Sequence, residues 1–277
     1  MFYAQLDRLR TATGVLIVPS RFDAIIGFQR LTLTAIGMVA LTLGMLLLDG
    51  RMLDGEPVWL KPFKFAVSFA ILFATLTWAA GRLSTLWRTS WGLVGAAAAS
   101  AAAFFFEMAY IGAQAARQEP SHFNETTPFH EMMYGFMGTG ATALMLTVGI
   151  VGVAAWADRD AHLQPRLRLS IVLGFFLTVV LTFWVAGELA GNGGRYIGVP
   201  SPQAAKLPIL GWSMEVGDLR PAHFFSLHAM QFLPLFGWLA DRYDLSSRMV
   251  WIAALFYASF NVMIFLKALQ GVPLISA

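Results

Sequence analysis

The sequence contains no cysteine and few charged residues. The absence of cysteine from all 277 residues excludes disulfide bonds and thiolate metal ligands, so histidine and carboxylate side chains are the remaining ligand types. Charged residues make up 13% of the chain, whereas hydrophobic residues make up 57%. This balance is too apolar for a soluble domain and indicates an integral membrane protein.

Several catalytic and nucleic-acid-binding motifs are also missing from the sequence. It has no phosphate-binding glycine loop, no zinc-protease helix motif and no nucleophile elbow. The formal net charge is only +3, and its basic residues are better explained by membrane topology than by nucleic acid. The lipid bilayer is therefore a predicted partner, and nucleic acid is not.

Seven apolar stretches are each long enough to cross a bilayer as a helix, which takes about 20 residues. They do not alternate as the strands of a barrel would. The sequence predicts an all-α, polytopic bundle of seven transmembrane helices over residues 32–277, after an arginine-bearing interfacial segment at residues 1–31. The stretches cover residues 32–49, 60–81, 92–116, 133–156, 169–190, 221–240 and 249–270.

The basic residues favour one orientation of this bundle. With seven spans, the N-terminus and three short connections lie on one side, and about 11 of the 19 lysines and arginines fall there. Basic residues are retained on the cytoplasmic side of a membrane. The predicted orientation therefore places the N-terminus inside and the C-terminus outside.

A polar stripe marks the third apolar stretch. Glu107, Tyr110, Gln114 and Arg117 follow the spacing i, i+3, i+7, i+10, so they face one direction on a helix. A carboxyl inside a membrane is costly unless it is paired or protonated, which makes Glu107 a catalytic candidate and the other three substrate-binding candidates. A structural ion pair of Glu107 with Arg117 or with Lys64, on the second stretch, is the equally weighted alternative. Lys64 is itself a substrate-binding candidate.

Four of the five histidines fall at the predicted outer side: His122, His130, His223 and His228. All four are candidate metal ligands. His122, His223 and His228 are also candidate cofactor ligands, and Asn124, beside His122, is a substrate-binding candidate. Loops also hold such polar residues simply because they are wet, and a single histidine within a span is usually a satisfied polar contact.

The sixth stretch carries the most specific cluster. Asp218 is a predicted N-cap, and His223 and His228 follow in the outer turns. Five residues separate these histidines, so they point about 140° apart and each needs a partner from another helix. Gln231 shares a face with His228 and is a further cofactor-binding candidate.

Two more polar residues complete the set of candidates. Glu188, at the outer end of the fifth stretch, is a second catalytic candidate, and an ordinary interfacial position is the alternative. Asn261, within the seventh stretch, is a substrate-binding candidate that would extend the polar core inward.

Three segments carry a resemblance to a known group of proteins. They are residues 59–65 (WLKPFKF), residues 114–124 with the SHFN motif, and residues 218–231 with the HFxxLHxxQ motif. Together they resemble an uncharacterised family of bacterial multi-pass membrane proteins over most of the chain. The resemblance implies a multi-pass fold and a location in the bacterial inner membrane, and it implies no reaction.

Three classes of function fit these residues. The first is a redox protein in which histidines from different helices bind a b-type haem or a transition metal, with quinone as a partner and a carboxyl that handles protons. The second is a transporter or receptor-like binder of a small, anionic ligand. The third is a metal-dependent membrane hydrolase. The redox protein is the leading hypothesis.

Overall fold

A computed structural model describes residues 22–276 of the chain, and this part is mainly helical. The helices of the described part are α1 (Ala24–Leu48), α2 (Leu60–Ala80), α3 (Thr85–Arg88), α4 (Trp91–Ala116), α5 (Pro128–Ala157), α6 (Pro165–Gly191), α7 (Leu219–Arg242) and α8 (Ser247–Leu269). Two short antiparallel ladders join β1 (Met52–Leu53) to β2 (Glu56–Pro57) and β3 (Tyr196–Ile197) to β4 (Gly217–Asp218).

Six of these helices are long and apolar enough to cross a membrane: α1, α2, α4, α5, α6 and α8. Many of their large apolar side chains are exposed, as lipid contact requires. The prediction of a multi-pass helical protein is confirmed at this level. The seventh predicted span corresponds to α7, which has 24 residues but is more polar, because it carries His223, His228 and Gln231.

The first span begins earlier than the hydrophobicity pattern predicts. Asp23 caps α1 by accepting a hydrogen bond from the backbone N–H of Ile25 at 3.0 Å, and the helix starts at Ala24 rather than at residue 32. Arg30 therefore lies within α1. Residues 1–21 of the predicted interfacial segment lie outside the described residues.

The chain divides into two compact units, of which the first ends at His162 and the second begins at Leu163. In the first unit, α1 packs along α2 and α4 packs along α5, while α2 also contacts α4 and α5. Hydroxyl pairs join these helices: Thr32 meets Thr77 at 3.2 Å between α1 and α2, and Ser100 donates to Thr147 at 3.0 Å between α4 and α5. Because such bonds satisfy polar groups without water, they suit a bundle in lipid.

A tight hairpin closes the connection from α1 to α2. Asp54 and Gly55 form its tip, with φ of 51° and 77°, and β1 and β2 pair on either side. Left-handed backbone at two successive residues is typical of a type I′ turn, for which Asp-Gly is a favoured sequence.

In the second unit, α6 packs closely along α7, and α8 contacts both. An apolar core lies near the C-terminal end of α6 and the start of α7: Val185, Leu219, Ala222, Ile264, Phe265 and Ala268. The long connection from α6 to α7 returns through the β3–β4 ladder, in which Tyr196 pairs with Asp218. The second unit therefore places its loop beside the N-terminal end of α7.

Candidate functional site

The polar stripe on α4 faces the interior of the first unit, as the residue spacing predicts. Glu107, Tyr110 and Gln114 are all buried, whereas Arg117, which follows the last helical residue, is exposed. Ser90 caps the start of this helix by accepting from the backbone N–H of Leu93 at 3.3 Å. Because Glu107, Tyr110 and Gln114 are buried, they face the neighbouring helices.

Glu107 lies in an almost closed environment and is 4% exposed. Its Oε1 is buried and has no hydrogen-bond partner among the described residues, and the hydroxyl of Tyr110, about one turn away, is in the same condition. Gly140 of α5 lies opposite, since a Cβ on it would be 3.1 Å from Oε1. Glycine at this position leaves the carboxyl its space.

Apolar and aromatic side chains pack around Tyr110. Tyr110 packs with Ile111 and Met137, and Phe65 and Tyr134 lie against that cluster. The walls come from α2, α4 and α5. The Tyr110 hydroxyl, one of the two atoms that have no hydrogen-bond partner among the described residues, therefore belongs to a side chain packed among largely apolar neighbours.

Two substrate-binding candidates brace the loop between α4 and α5. Gln114 Nε2 and Asn124 Nδ2 both donate to the carbonyl of Pro120, at 3.1 and 2.9 Å. Asn124 Oδ1 also accepts from the hydroxyl of Thr126 at 2.7 Å. These contacts give both amides a structural role in shaping the loop.

His122 lies on aromatic rings from two helices. Its ring centroid is 5.1 Å from that of Phe65 on α2 and 6.2 Å from that of Tyr134 on α5. Nδ1 forms a hydrogen bond with the hydroxyl of Ser121 at 3.1 Å. The imidazole therefore closes the loop over the cluster that contains Tyr110.

A surface cluster of charges surrounds Glu119. Arg117 Nη2 lies 3.0 Å from one carboxylate oxygen, and His130 Nε2 lies 3.5 Å from the other. The hydrogen bond from Arg117 holds the pKa of Glu119 below its ordinary value. Nδ1 of His130 meets the hydroxyls of Thr126 and Thr127 at 3.1 and 3.0 Å.

The remaining candidates of the first unit and of α6 are less enclosed. Lys64 is half-buried in the first two turns of α2. Glu188 is exposed near the C-terminal end of α6. The exposure of Glu188 matches the ordinary interfacial alternative.

In the second unit, Asp218 caps α7, which confirms its prediction. Its carboxylate accepts from the backbone N–H groups of Arg220 at 3.0 Å and Ser213 at 2.9 Å. It also lies 2.6 Å from the guanidinium of Arg220. The same guanidinium donates to the carbonyl of Gly211 at 2.6 Å, so this ion pair joins the long loop to the start of α7.

The two histidines of α7 have different partners. His228 Nδ1 pairs with Gln231 Oε1 at 3.2 Å, as their shared face predicts, and its ring contacts Phe224 with centroids 4.2 Å apart. His223 Nδ1 is buried and has no hydrogen-bond partner within the described part of the chain. A metal-ligating histidine usually donates its second ring N–H to a partner, so His228 fits that role better than His223.

Asn261 joins α8 to α7. Its Nδ2 donates to the carbonyl of Ala222 at 2.8 Å, and Tyr257, one turn earlier, donates its hydroxyl to the carbonyl of Phe225 at 2.7 Å. Asn261 is fully buried, and its Oδ1 lacks a hydrogen-bond partner among residues 22–276. The amide therefore serves helix packing as well as being a binding candidate.

Sequence reasoning missed the polar seam between α6 and α7. The α6–α7 seam consists of Ser170, Gly174, Thr178 and Thr182 on α6, spaced four residues apart. Thr182 donates to Ser226 at 3.1 Å, and Thr178 accepts from the backbone N–H of Met230 at 2.9 Å. The regular spacing of small residues was the signal that could have revealed it.

No metal-ligand set forms in the described part of either unit. Among residues 22–276, no three or more histidine, aspartate or glutamate side chains are arranged as a group that could hold a metal ion. The chain matches no protein-family model, no curated protein and no solved structure. Its function is therefore argued from these side chains alone.

Proposed function

We propose that the first unit binds a small ligand that donates hydrogen bonds or carries positive charge, and that it couples this binding to a proton on Glu107, as a transporter does. The observation that supports this proposal is a pair of buried polar groups on one face of α4. Glu107 Oε1 and the Tyr110 hydroxyl both lack a hydrogen-bond partner among the described residues.

Such a pair needs a physical explanation. At least about 90% of buried backbone polar groups, and the large majority of buried side-chain polar atoms, have a hydrogen-bond partner in folded proteins. Inside a membrane there is no bulk water to replace a missing partner, so an ionisable residue there is usually part of an ion, proton or substrate pathway. A proton bound to Glu107, or a hydrogen-bond donor of a ligand, would occupy the oxygen that the described residues leave without a partner.

The one cation of the stripe on α4 is engaged elsewhere, which favours a donor ligand over an anion on that stripe. Arg117, the exposed cation at the end of the stripe, is 64% exposed and already paired with Glu119 at 3.0 Å. At the buried end of the stripe, the oxygens of Glu107 and Tyr110 can accept hydrogen bonds. A proton and a ligand therefore compete for the same carboxyl oxygen, which is the minimal coupling that a proton-driven transporter requires.

Seven crossings remain part of the proposal. The 24 residues of α7 measure about 36 Å along the axis, which exceeds the roughly 30 Å hydrocarbon core. We infer an inside N-terminus, an outside C-terminus and a location in the bacterial inner membrane from the arginine distribution and from the resemblance to bacterial multi-pass membrane proteins.

Labelling with dicyclohexylcarbodiimide tests the role of Glu107. This apolar reagent adds to a protonated carboxyl, and mass spectrometry of the purified protein then locates the adduct. We expect an adduct on Glu107 that decreases as pH rises and is lost in Glu107→Gln. Glu188→Gln is the matched control, because Glu188 is exposed and lies outside the stripe. An unreactive Glu107 would contradict the proposal.

Proton movement is the second readout. Vesicles that contain the protein and a trapped pH-sensitive dye are exposed to an acid jump. We expect faster internal acidification with the unmodified protein than with Glu107→Gln, and an intermediate rate with Tyr110→Phe. Equal rates for all three proteins would show that Glu107 carries no proton across the membrane in the absence of a ligand.

A haem or metal cofactor is the second candidate, and it is supported by the hydrogen bond between His228 and Gln231. That bond fixes Nδ1 and leaves Nε2 as the nitrogen that would bind iron or another transition metal. An oxidised-minus-reduced absorption spectrum with metal analysis tests it. A haem band that disappears in His228→Ala would support this candidate, and a colourless, metal-free protein would exclude it.

A further inference from the structure

The connection between α6 and α7 contains a second hairpin, formed by residues 205–214. Its arms are joined by a bridge between Lys206 and Ser213 and by hydrogen bonds from Leu207 N to the Trp212 carbonyl at 2.8 Å and from Met214 N to the Ala205 carbonyl at 2.9 Å. The hairpin therefore has a defined shape, and residues 207–210 (LPIL) occupy its tip.

The tip presents apolar side chains in an unusual backbone conformation. Ile209 has φ of 66°, which is rare for a β-branched residue, and its side chain is 85% exposed. Leu210 beside it and Val199 earlier in the loop are also exposed. A strained conformation persists only where its surroundings impose it, and here the guanidinium of Arg220 binds the carbonyl of Gly211 at 2.6 Å.

The base of the hairpin lies beside α7 rather than beyond its end. The buried ring of Trp212 packs on Phe224 with centroids 5.6 Å apart. Phe224 lies five residues into α7, about 7.5 Å along its axis from the first residue. A helix that spans the membrane has its outer turns in the headgroup layer, so the hairpin lies at that depth.

The composition of this segment suits lipid. Lys206 is the only charged residue among residues 198–212, and its ammonium can meet the phosphate of a headgroup. Trp212 is of the residue type that favours this interface. An apolar tip flanked by one lysine is complementary to a bilayer surface.

We propose that residues 207–210 insert into the outer leaflet of the membrane, with Ile209 and Leu210 among the lipid chains and Lys206 at the phosphates. The hairpin thereby fixes the outer end of α7 at the interface. This inference rests on the proposed crossing of α7, and it does not depend on the role of Glu107.

Single-cysteine variants test the insertion directly, because the chain has no cysteine of its own. Ile209→Cys and Leu210→Cys are labelled with bimane and reconstituted into phosphatidylcholine and phosphatidylglycerol vesicles. We expect lipids with brominated chains to remove most of the bimane fluorescence and iodide in the buffer to remove little. Gln203→Cys, exposed in the same loop, is the control and should show the reverse.

Two results would overturn the proposal. Strong quenching by iodide at position 209 would place the tip in water, and protection from both quenchers would place it against protein, either another chain or a second copy. Glu107→Gln in the labelled background should leave the quenching unchanged. A failure of the proton-coupling proposal is thereby distinguished from a failure of the insertion.

Discussion

Two buried carboxyl side chains, Asp218 and Glu107, have very different surroundings in this chain. Asp218 is 2% exposed and accepts hydrogen bonds from two backbone N–H groups and the Arg220 guanidinium. Glu107 is 4% exposed, and its Oε1 has no partner in the described part of the chain. The satisfied carboxylate stabilises a loop, whereas the unsatisfied carboxyl has bonding capacity left for a proton or a ligand.

This contrast predicts the effect of Asp218→Asn. Asparagine keeps the ability to cap α7, but it loses the charge that pairs with Arg220. We expect a loss of about 1 to 3 kcal/mol in the free energy of unfolding, below that of a fully buried pair because the Arg220 side chain is 21% exposed. Urea unfolding in detergent measures it.

The matched control for this prediction is Glu119→Gln. It removes a comparable pair with an arginine, but that arginine is largely exposed and the pair is screened by solvent. We expect little change in stability. Equal losses for the two variants would mean that the pair at Asp218 has no special structural role.

At the scale of elements, the α6–α7 seam depends on small residues on both helices. A Cβ on Gly237 of α7 would collide with the Ser170 side chain, and a Cβ on Gly174 of α6 would come within 2.8 Å of the Ala229 carbonyl. Close approach lets Thr178 and Thr182 form hydrogen bonds across the interface. The seam therefore combines backbone proximity with polar contacts, as helix pairs in membranes do.

Gly237→Ala should destabilise the second unit. Alanine is the better helix former, by about 1 kcal/mol, but here its methyl group forces the helices apart, and overpacking costs about 1 to 3 kcal/mol. Gly187→Ala on α6 is the control, because a Cβ there meets no atom of the described residues within 4 Å. We expect a lower thermal unfolding midpoint for the first variant and an unchanged or higher one for the second.

The elements themselves could be predicted from the sequence, but their pairing could not. Apolar length located the helices, and the i, i+3, i+7 spacing placed Glu107, Tyr110 and Gln114 on one buried face. The spacing of Gly135 and Thr139, small residues four apart on α5, also predicts a packing seam, yet both are exposed, while Gly140 makes the close contact. Periodicity fixes which residues share a face, but it carries no information about which helix that face meets.

At the scale of the whole molecule, each unit contains, among the described residues, both satisfied and unsatisfied buried polar groups. In the second unit, Tyr257 and Asn261 bond to backbone carbonyls of α7 more than 30 residues away along the chain. In the first unit, Glu107 Oε1 and the Tyr110 hydroxyl have no such hydrogen bond among the described residues. These long-range pairings could not be predicted from local sequence, so the site candidates could be named from it but not ranked.

The number of crossings is decided by α7, because its insertion sets the side of every segment that follows. If α7 crosses, the connection before it lies outside and the short connection at residues 243–246 lies inside. We therefore expect a membrane-impermeant maleimide to label Gln203→Cys in spheroplasts and to label Ser246→Cys only after the membrane is permeabilised. Both positions are exposed, so access depends on the side of the membrane.

Asp160→Cys, exposed in the connection between α5 and α6, is the control for an inside position, because the predicted side of that connection does not depend on α7. It should behave like Ser246→Cys if there are seven crossings. Labelling of Ser246→Cys in unpermeabilised spheroplasts, together with protection of Asp160→Cys, would mean that α7 does not cross. The protein would then have six crossings, its C-terminus would lie inside, and the depth argument for the hairpin at residues 205–214 would no longer hold.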